Sequence, residues 1–125
     1  MTPNPTELEI LKLLWKHQPR TAKDIHEYLS PKYGWSYSST RKTLERMGNK
    51  GIVSVGTRGN KKIFSANLEK IPTLASYMQD FAVNVLELDE PLPITMFADS
   101  RLIEKEEIDE LDELLQQLAK NEKAK

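Results

Sequence analysis

The sequence contains no cysteine, no long apolar run and no glycine-rich phosphate loop. Without cysteine there can be no disulfide framework, no thiolate metal site and no cysteine nucleophile. No apolar run approaches the roughly 18 residues of a membrane span, and the N-terminus lacks the apolar core of a signal peptide. Gly56 and Gly59 do not have P-loop spacing. We therefore expect a cytoplasmic protein with no membrane segment and with neither metal nor cofactor.

Candidate catalytic residues are equally scarce. His17 and His26 lie on two different predicted helices, and neither has a cluster of histidine and carboxylate residues near it. They are better interpreted as surface or packing residues. The acidic residues between positions 104 and 113 are so dense that they indicate a solvated helix face rather than paired catalytic carboxylates. The sequence therefore does not predict an enzyme.

Charge is distributed unevenly along the chain, although the net charge is only −1. Residues 1–70 contain 13 Lys and Arg against 6 Asp and Glu, a balance of +7. Residues 71–125 contain 5 against 13, a balance of −8. This asymmetry is typical of a basic binding module joined to an acidic module with another task.

A polar, basic helix is predicted between Ser36, a good N-cap, and Gly51, a good left-handed C-terminal residue. Its apolar stripe is thin, because only Leu44 and Met47, with two threonines beside them, recur at helical spacing. Its other face carries hydroxyls and long cations in the first two turns. Such a face suits a recognition helix, whose N-terminal residues reach base edges in the major groove of DNA. The alternative is an ordinary solvated face.

A basic hairpin follows this helix. Ile52, Val53 and Val55 form one β-prone run, and residues 61–66 form another. Between them the turn TRGNK has the glycine and asparagine that a tight hairpin needs. Folding does not require cations at a hairpin tip, so those at this turn, Arg58, Lys61 and Lys62, are candidate phosphate contacts.

Two further helices are predicted upstream. Thr6 and Glu9 have capping-box spacing, which starts a helix at Thr6 that runs to about His17. Thr21 caps a second helix, which Pro31 and Gly34 should end. We expect Trp35 to fill the space between this helix and the next. Three helices and a hairpin over residues 1–68 predict a winged helix-turn-helix domain.

Residues 69–125 are predicted to be purely helical, so the fold class is mostly α with a β wing. Their apolar residues recur at helical spacing on helices separated by Pro91 and Pro93. Helices this short cannot enclose a core alone, so we expect a small dimerisation domain in which a second copy covers the apolar stripe. The alternative is a monomer whose helices fold back on the N-terminal domain. The candidate dimer contacts are Leu74, Tyr77, Met78, Phe81, Val85, Ile108, Leu111, Leu115 and Leu118.

Three segments resemble the penicillinase repressor family of bacteria, which includes repressors of β-lactamase, methicillin-resistance and copper-transport genes. They are TELEILKLLWKHQPRTAKDI, GWSYSSTRKTLERMGNKGIV and the closing EKEEIDELDELLQQL. The resemblance implies a homodimeric winged-helix repressor of a promoter operator in double-stranded DNA. It also implies base contacts at Ser38, Ser39, Arg41 and Lys42, and phosphate contacts at Arg46, Lys50, Arg58, Lys61 and Lys62.

The resemblance has departures as well. The copper-responsive branch carries a C-terminal cysteine cluster, which this chain lacks, so a thiolate copper site is excluded. The antibiotic-responsive branch is released from DNA by cleavage before a phenylalanine. The wing departs too, because Asn60 stands at a position that is often arginine in the family. At the cleavage site, Phe97 occupies the similar place, but Met96 stands where those repressors have asparagine. Release could thus come from a regulatory protease or from another inducer.

A second function fits the charge asymmetry. The winged helix could be a protein-interaction module whose acidic helices dock a basic partner. The cations concentrated on the helix and the wing favour DNA, because a protein-docking module has no need of them.

Overall fold

The computed structural model describes residues 2–124, with side chains to residue 121, and the chain divides into two compact units. The first unit spans Pro3–Glu69. In chain order it contains α1 (Pro5–Lys16), β1 (Arg20–Thr21), α2 (Ala22–Tyr33), α3 (Tyr37–Asn49), β2 (Val53–Arg58) and β3 (Lys61–Ala66). Three helices and a hairpin in this order confirm the predicted winged-helix fold.

The capping box of α1 lies two residues before the predicted one. Asn4, not Thr6, is the N-cap: its side chain accepts a hydrogen bond from the Glu7 N–H at 2.9 Å. The Glu7 carboxylate in turn accepts one from the Asn4 N–H, also at 2.9 Å. The shift has a physical reason, because it puts Pro5 at the first helical position, where a missing N–H costs nothing.

The second helix keeps its predicted start but not its predicted end. Thr21 and Asp24 form a capping box, as expected. Pro31, however, lies inside α2, and the helix ends only at Gly34, which has a φ of 63°. One missing donor in the last turn is tolerated here because the Gly34 N–H still closes the helix on the Ser30 carbonyl at 2.8 Å.

The recognition helix and the hairpin lie where the sequence predicts them. Ser36 caps α3, and Gly51 follows it with a φ of 78°. β2 and β3 pair antiparallel around a two-residue turn whose first residue, Gly59, has a φ of 64°. A positive φ at that place matches the right-handed twist of the flanking strands. We refer to this hairpin, residues 53–66, as the wing.

The strand β1 was not predicted from the sequence. Its two residues pair antiparallel with Ile63 and Phe64 of β3, so the sheet order is β1-β3-β2. Trp15 of α1 adds a hydrogen bond from Nε1 to the Leu68 carbonyl at 2.9 Å. Trp35 packs partly buried against the core. The core joins all three helices to the sheet through Ile10, Leu11, Leu13, Leu14, Ile25, Leu29, Leu44, Met47, Ile52, Val53 and Phe64.

The second unit, from Lys70 onward, is helical but less regular than its sequence pattern. It contains α4 (Lys70–Asp80), a π-helical turn (Phe81–Val85), a 3-10 turn (Ile94–Phe97) and α5 (Lys105–Ala124). The first helix is joined to the last by an ion pair of 2.8 Å between Lys70 and Glu107. No helix in the described part of the chain has the length and apolarity to cross a membrane.

The candidate dimer contacts fall into three groups by exposure in the single chain. Leu74, Leu111 and Leu115 are already buried, so their surface is used within the chain and is not free to meet a partner. Phe81 and Val85 are 47% and 61% exposed. The others, Tyr77, Met78, Ile108 and Leu118, are half-buried.

Candidate nucleic-acid interface

The two faces of α3 are sharply different. Its buried face consists of Leu44, Met47 and two threonines, Thr40 and Thr43, as the sequence predicts. Because these residues pack against the core, helical spacing turns Ser38, Arg41 and Lys42 toward solvent. The exposed face therefore offers a hydroxyl and two long cations on a rigid support.

The N-terminal end of α3 is fixed to α2 through His26. Its Nδ1 is 2.8 Å from the hydroxyl of Thr40, which is fully buried. The His26 ring also meets the Tyr37 ring edge to face, with centroids 5.5 Å apart. Ser39 has a local role as well, because its N–H and hydroxyl both contact the hydroxyl of Ser36. These contacts set the orientation of the first turn, where base readout would occur.

The C-terminal end of α3 is fixed to α1 by charge. The Lys50 ammonium lies 2.9 Å from Oε2 of Glu7, which is only 4% exposed. Burial raises the pKa of Glu7, but the Asn4 N–H and the Lys50 ammonium outweigh burial, with a further contribution from Arg46. The net result is a pKa below the ordinary 4.5, so Glu7 stays ionised at neutral pH.

An open groove of about 1160 Å³ lies between the start of α2, the exposed face of α3 and the wing. Val53, Val55, Leu44 and Phe64 give it an apolar floor. Among the lining residues that the structure describes, the one acid is Glu45, whereas the cations are Lys23, Arg41, Lys42, Lys61 and Lys62. A groove with this excess of cations attracts a polyanion.

The groove brings together some of the predicted contact residues and not others. Ser38, Arg41 and Lys42 of the helix line it together with Lys61 and Lys62 of the wing, although the sequence separates the two sets by about 20 residues. Four predicted residues lie outside its lining: Ser39, Arg46, Lys50 and Arg58. Arg46 is exposed and donates to the Thr43 hydroxyl at 3.3 Å.

Sequence reasoning missed two groove residues, Lys23 and Tyr37. Helical spacing could have found Tyr37, because it precedes Arg41 and Glu45 by one and two turns on the same face. Lys23 carried no such signal, since its proximity to α3 depends on how α2 packs. No group of three or more His, Asp or Glu side chains that could hold a metal ion occurs in the part of the chain that the structure describes.

A three-helix unit whose third helix and hairpin frame a basic groove is a winged helix-turn-helix, a class of DNA-binding domain. The whole chain allows a narrower assignment. Residues 4–117 match the penicillinase repressor family. The chain therefore belongs to this family of DNA-binding repressors, and the predicted membership is confirmed.

Individual relatives agree with the family assignment. The penicillinase repressor of Bacillus licheniformis is 24% identical over 111 residues, which are 89% of this chain and 87% of that protein. An uncharacterized 16.5 kDa protein of Latilactobacillus sakei is 19% identical over 110 residues, or 88% of this chain and 75% of that protein. Among solved structures, monomeric BlaI of B. licheniformis in complex with the blaP half-operator superposes with a TM-score of 0.50. It is 24% identical, covers 56% of this chain and 85% of that chain, and supports the fold alone.

Proposed function

We propose that the chain acts in the bacterial cytoplasm as a homodimeric repressor, and that each copy places α3 in the major groove of one half of a two-fold symmetric operator. The observation that carries the proposal is the groove, which brings the cations of α3 and the wing to one surface. A dimer would reach two half-sites about 10 base pairs apart, or a multiple of that spacing.

The proposed base contacts are Ser38, Ser39, Arg41 and Lys42. Arg41 and Lys42 are exposed on the groove face, and cations there can donate to the O6 and N7 acceptors of guanine. Ser38 is exposed beside them. Ser39 is half-buried and already contacts Ser36, so it would have to exchange that contact for one with DNA.

The proposed phosphate contacts lie mainly on the wing. Arg58, Lys61 and Lys62 are exposed at and beside the hairpin tip, and Arg46 is exposed on α3. Cations at these places would release counterions from the DNA backbone and position the protein without reading sequence. Val55 in the floor of the groove would face the apolar edge of the deoxyribose groups.

The proposed dimer face is the apolar surface that the second unit leaves exposed. Phe81, Val85, Leu86, Leu88 and Met96 are all at least 42% exposed in the single chain. Large apolar side chains clustered on a short segment indicate a protein contact surface. Half-buried Tyr77, Met78, Ile108 and Leu118 would border this face.

Repression would follow from excluding the polymerase, and derepression from losing the dimer. A single half-site binds far more weakly than two linked ones, so any event that separates the copies releases DNA. A regulatory protease is one candidate for that event. Met96 is 65% exposed on the short turn it shares with Phe97, so a protease can reach this segment, but it would have to accept methionine where the antibiotic-responsive relatives have asparagine.

The proposal is tested by fluorescence-anisotropy titration of the full chain against DNA from upstream of its own gene, beside a scrambled duplex, at about 50 and 200 mM salt. We expect tight, cooperative binding that prefers the upstream DNA and weakens steeply with salt. Weak binding of equal affinity to both duplexes would contradict the proposal. It would favour instead a protein-interaction module whose acidic helices dock a basic partner.

A further inference from the structure

We infer that Lys50 is a positioning residue that holds the recognition helix through Glu7 and is not one of the phosphate contacts. This inference rests on the proposed function, because it separates Lys50 from the other phosphate contacts that the family resemblance implies. It also assigns a second task to Glu7, beyond capping α1.

The geometry places Lys50 at a junction between two helix ends. Lys50 is the C-cap residue of α3, and its backbone N–H closes the helix on the Arg46 carbonyl at 2.9 Å. Its ammonium reaches Oε2 of Glu7 at 2.9 Å, across 43 residues of sequence. Oε1 of the same carboxylate accepts from the Asn4 N–H, so both oxygens of Glu7 are occupied.

Burial makes this ion pair difficult to exchange for a phosphate. Glu7 is nearly inaccessible to water, so a Lys50 that turned toward DNA would leave an ionised carboxylate buried without its nearest cation. Unpaired buried charges are strongly destabilising, whereas an exposed lysine loses little when it moves to a phosphate. Lys50 should therefore stay on Glu7 when DNA binds.

The wing provides the contrast. Lys50 and Lys62 are both exposed, but Lys62 lines the groove and Lys50 does not. The ion pairs between described residues are Lys12–Glu9, Lys32–Glu9, Lys50–Glu7 and Lys70–Glu107, and none of them engages a groove cation. Lys62 can therefore bind a phosphate without breaking an ion pair, whereas Lys50 would have to leave Glu7. The two lysines form a matched pair for substitution.

The experiment compares Lys50→Met with Lys62→Met in the full chain, by titrating operator and scrambled DNA over a series of salt concentrations. It is run at a temperature where circular dichroism shows both variants folded. Lys62→Met should lower the slope of log affinity against log salt by about 0.9, the value for one phosphate contact on duplex DNA. Lys50→Met should leave that slope unchanged and weaken operator binding about 3- to 10-fold, with little effect on scrambled DNA.

Glu7→Gln provides a second route to the same answer, and one that is needed if Lys50→Met does not fold. It should weaken operator binding by about the same factor. The double variant should bind the operator no more weakly than either single variant, because each substitution removes the same ion pair between Glu7 and Lys50. Lys50→Arg, which retains a cation for Glu7, should restore operator binding. Nuclear magnetic resonance should show the pKa of Glu7 rising in Lys50→Met.

Failure of the positioning role can be distinguished from failure of the proposed function. A slope that falls by about 0.9 in Lys50→Met, as in Lys62→Met, would overturn the positioning role and leave the proposed function intact. Fully additive effects of Glu7→Gln and Lys50→Met would overturn it as well. A wild-type protein with no salt-dependent preference for operator DNA would overturn the proposed function and this inference together.

Discussion

The two units of the chain differ in what they leave exposed. The first encloses its apolar core and exposes mainly cations, whereas the second exposes most of the large apolar side chains that lie at the surface, among acidic residues. A surface of cations is suited to a polyanion, and a surface of apolar side chains is suited to another apolar surface. This difference supports the proposal that the first unit binds DNA and the second provides the dimer contact.

Charge reinforces this division. The balance of −8 after residue 70 makes the second unit repel phosphate, so it does not compete with the groove for DNA. Opposite charges on two parts of one chain also explain why the net charge of −1 conceals a DNA-binding protein. Four predictions sharpen or break the comparison, beginning with the largest effect.

The largest effect should come from placing charge on the proposed dimer face. Phe81→Asp combined with Val85→Asp should convert the dimer to a monomer, because two carboxylates per copy would be buried in the interface. Losing the second half-site should weaken operator binding by about 10²- to 10⁴-fold. Sedimentation velocity and anisotropy measure the two results. Tyr28→Asp, at another exposed aromatic residue, is the control and should leave the dimer intact.

A second prediction compares two methionines, one from each unit. Met47 is fully buried on the core side of the recognition helix, and Met96 is 65% exposed. Met47→Ala should lower the free energy of unfolding by about 2–5 kcal/mol, since it leaves a cavity in the core. Met96→Ala should change it by no more than about 0.5 kcal/mol. Urea unfolding followed by circular dichroism measures both changes. Similar losses in the free energy of unfolding for the two variants would contradict the difference in burial.

A third prediction separates base contact from phosphate contact within the groove. Lys42→Ala should relax the sequence preference at one operator position by about 1–3 kcal/mol. Lys62→Ala should weaken binding to all duplexes about equally, and reduce the salt slope by about 0.9. Titration against single-base operator variants measures both effects. If Lys42→Ala left the preference unchanged, the assignment of the recognition face would fail.

The smallest effect concerns the ion pair of the second unit. Burial raises the pKa of Glu107, but Lys70 and the Glu104 N–H together lower it by more. The net pKa therefore lies below the ordinary 4.5. A lowered pKa in the fold means that this stabilisation is present above about pH 4.5 and is lost as pH falls through the folded value. Glu107→Gln should therefore cost up to about 1 kcal/mol at neutral pH and nothing in acid.

Urea unfolding at neutral and acidic pH tests this prediction. Glu110→Gln, on an exposed part of the same helix, is the control and should change the stability little at either pH. A cost for Glu107→Gln that stayed constant as the pH fell would contradict the ionic origin of the contact.

Local signals explain why much of the first unit could be predicted. Ser36 and Gly51 mark the ends of α3 because capping depends on residues next to the helix itself. The hairpin around Gly59 was predictable for the same reason. The predicted capping box of Thr6 with Glu9 was wrong, because Asn4 with Glu7 has the same spacing and also puts Pro5 at the first helical position.

Features that depend on distant partners could not be read from the sequence. β1 is two residues long and exists only because β3 lies beside it. Lys23 joins the groove through the packing of α2, and Lys50 meets Glu7 across 43 residues. In the second unit, helical spacing continued through Phe81–Val85, but the backbone there forms a π-helical turn. Periodicity alone therefore overstated the regularity of the proposed dimer face.

The most direct test of the account is the dependence of binding on half-site spacing, once footprinting has located the operator. The full chain would be titrated against duplexes in which the half-sites are moved apart by about 5 or 10 base pairs, and sedimentation would count the chains bound. The account predicts two chains per duplex and a large loss of affinity for the half-turn insertion, with substantial recovery for the full turn. One chain per duplex, with the same affinity at every spacing, would contradict it.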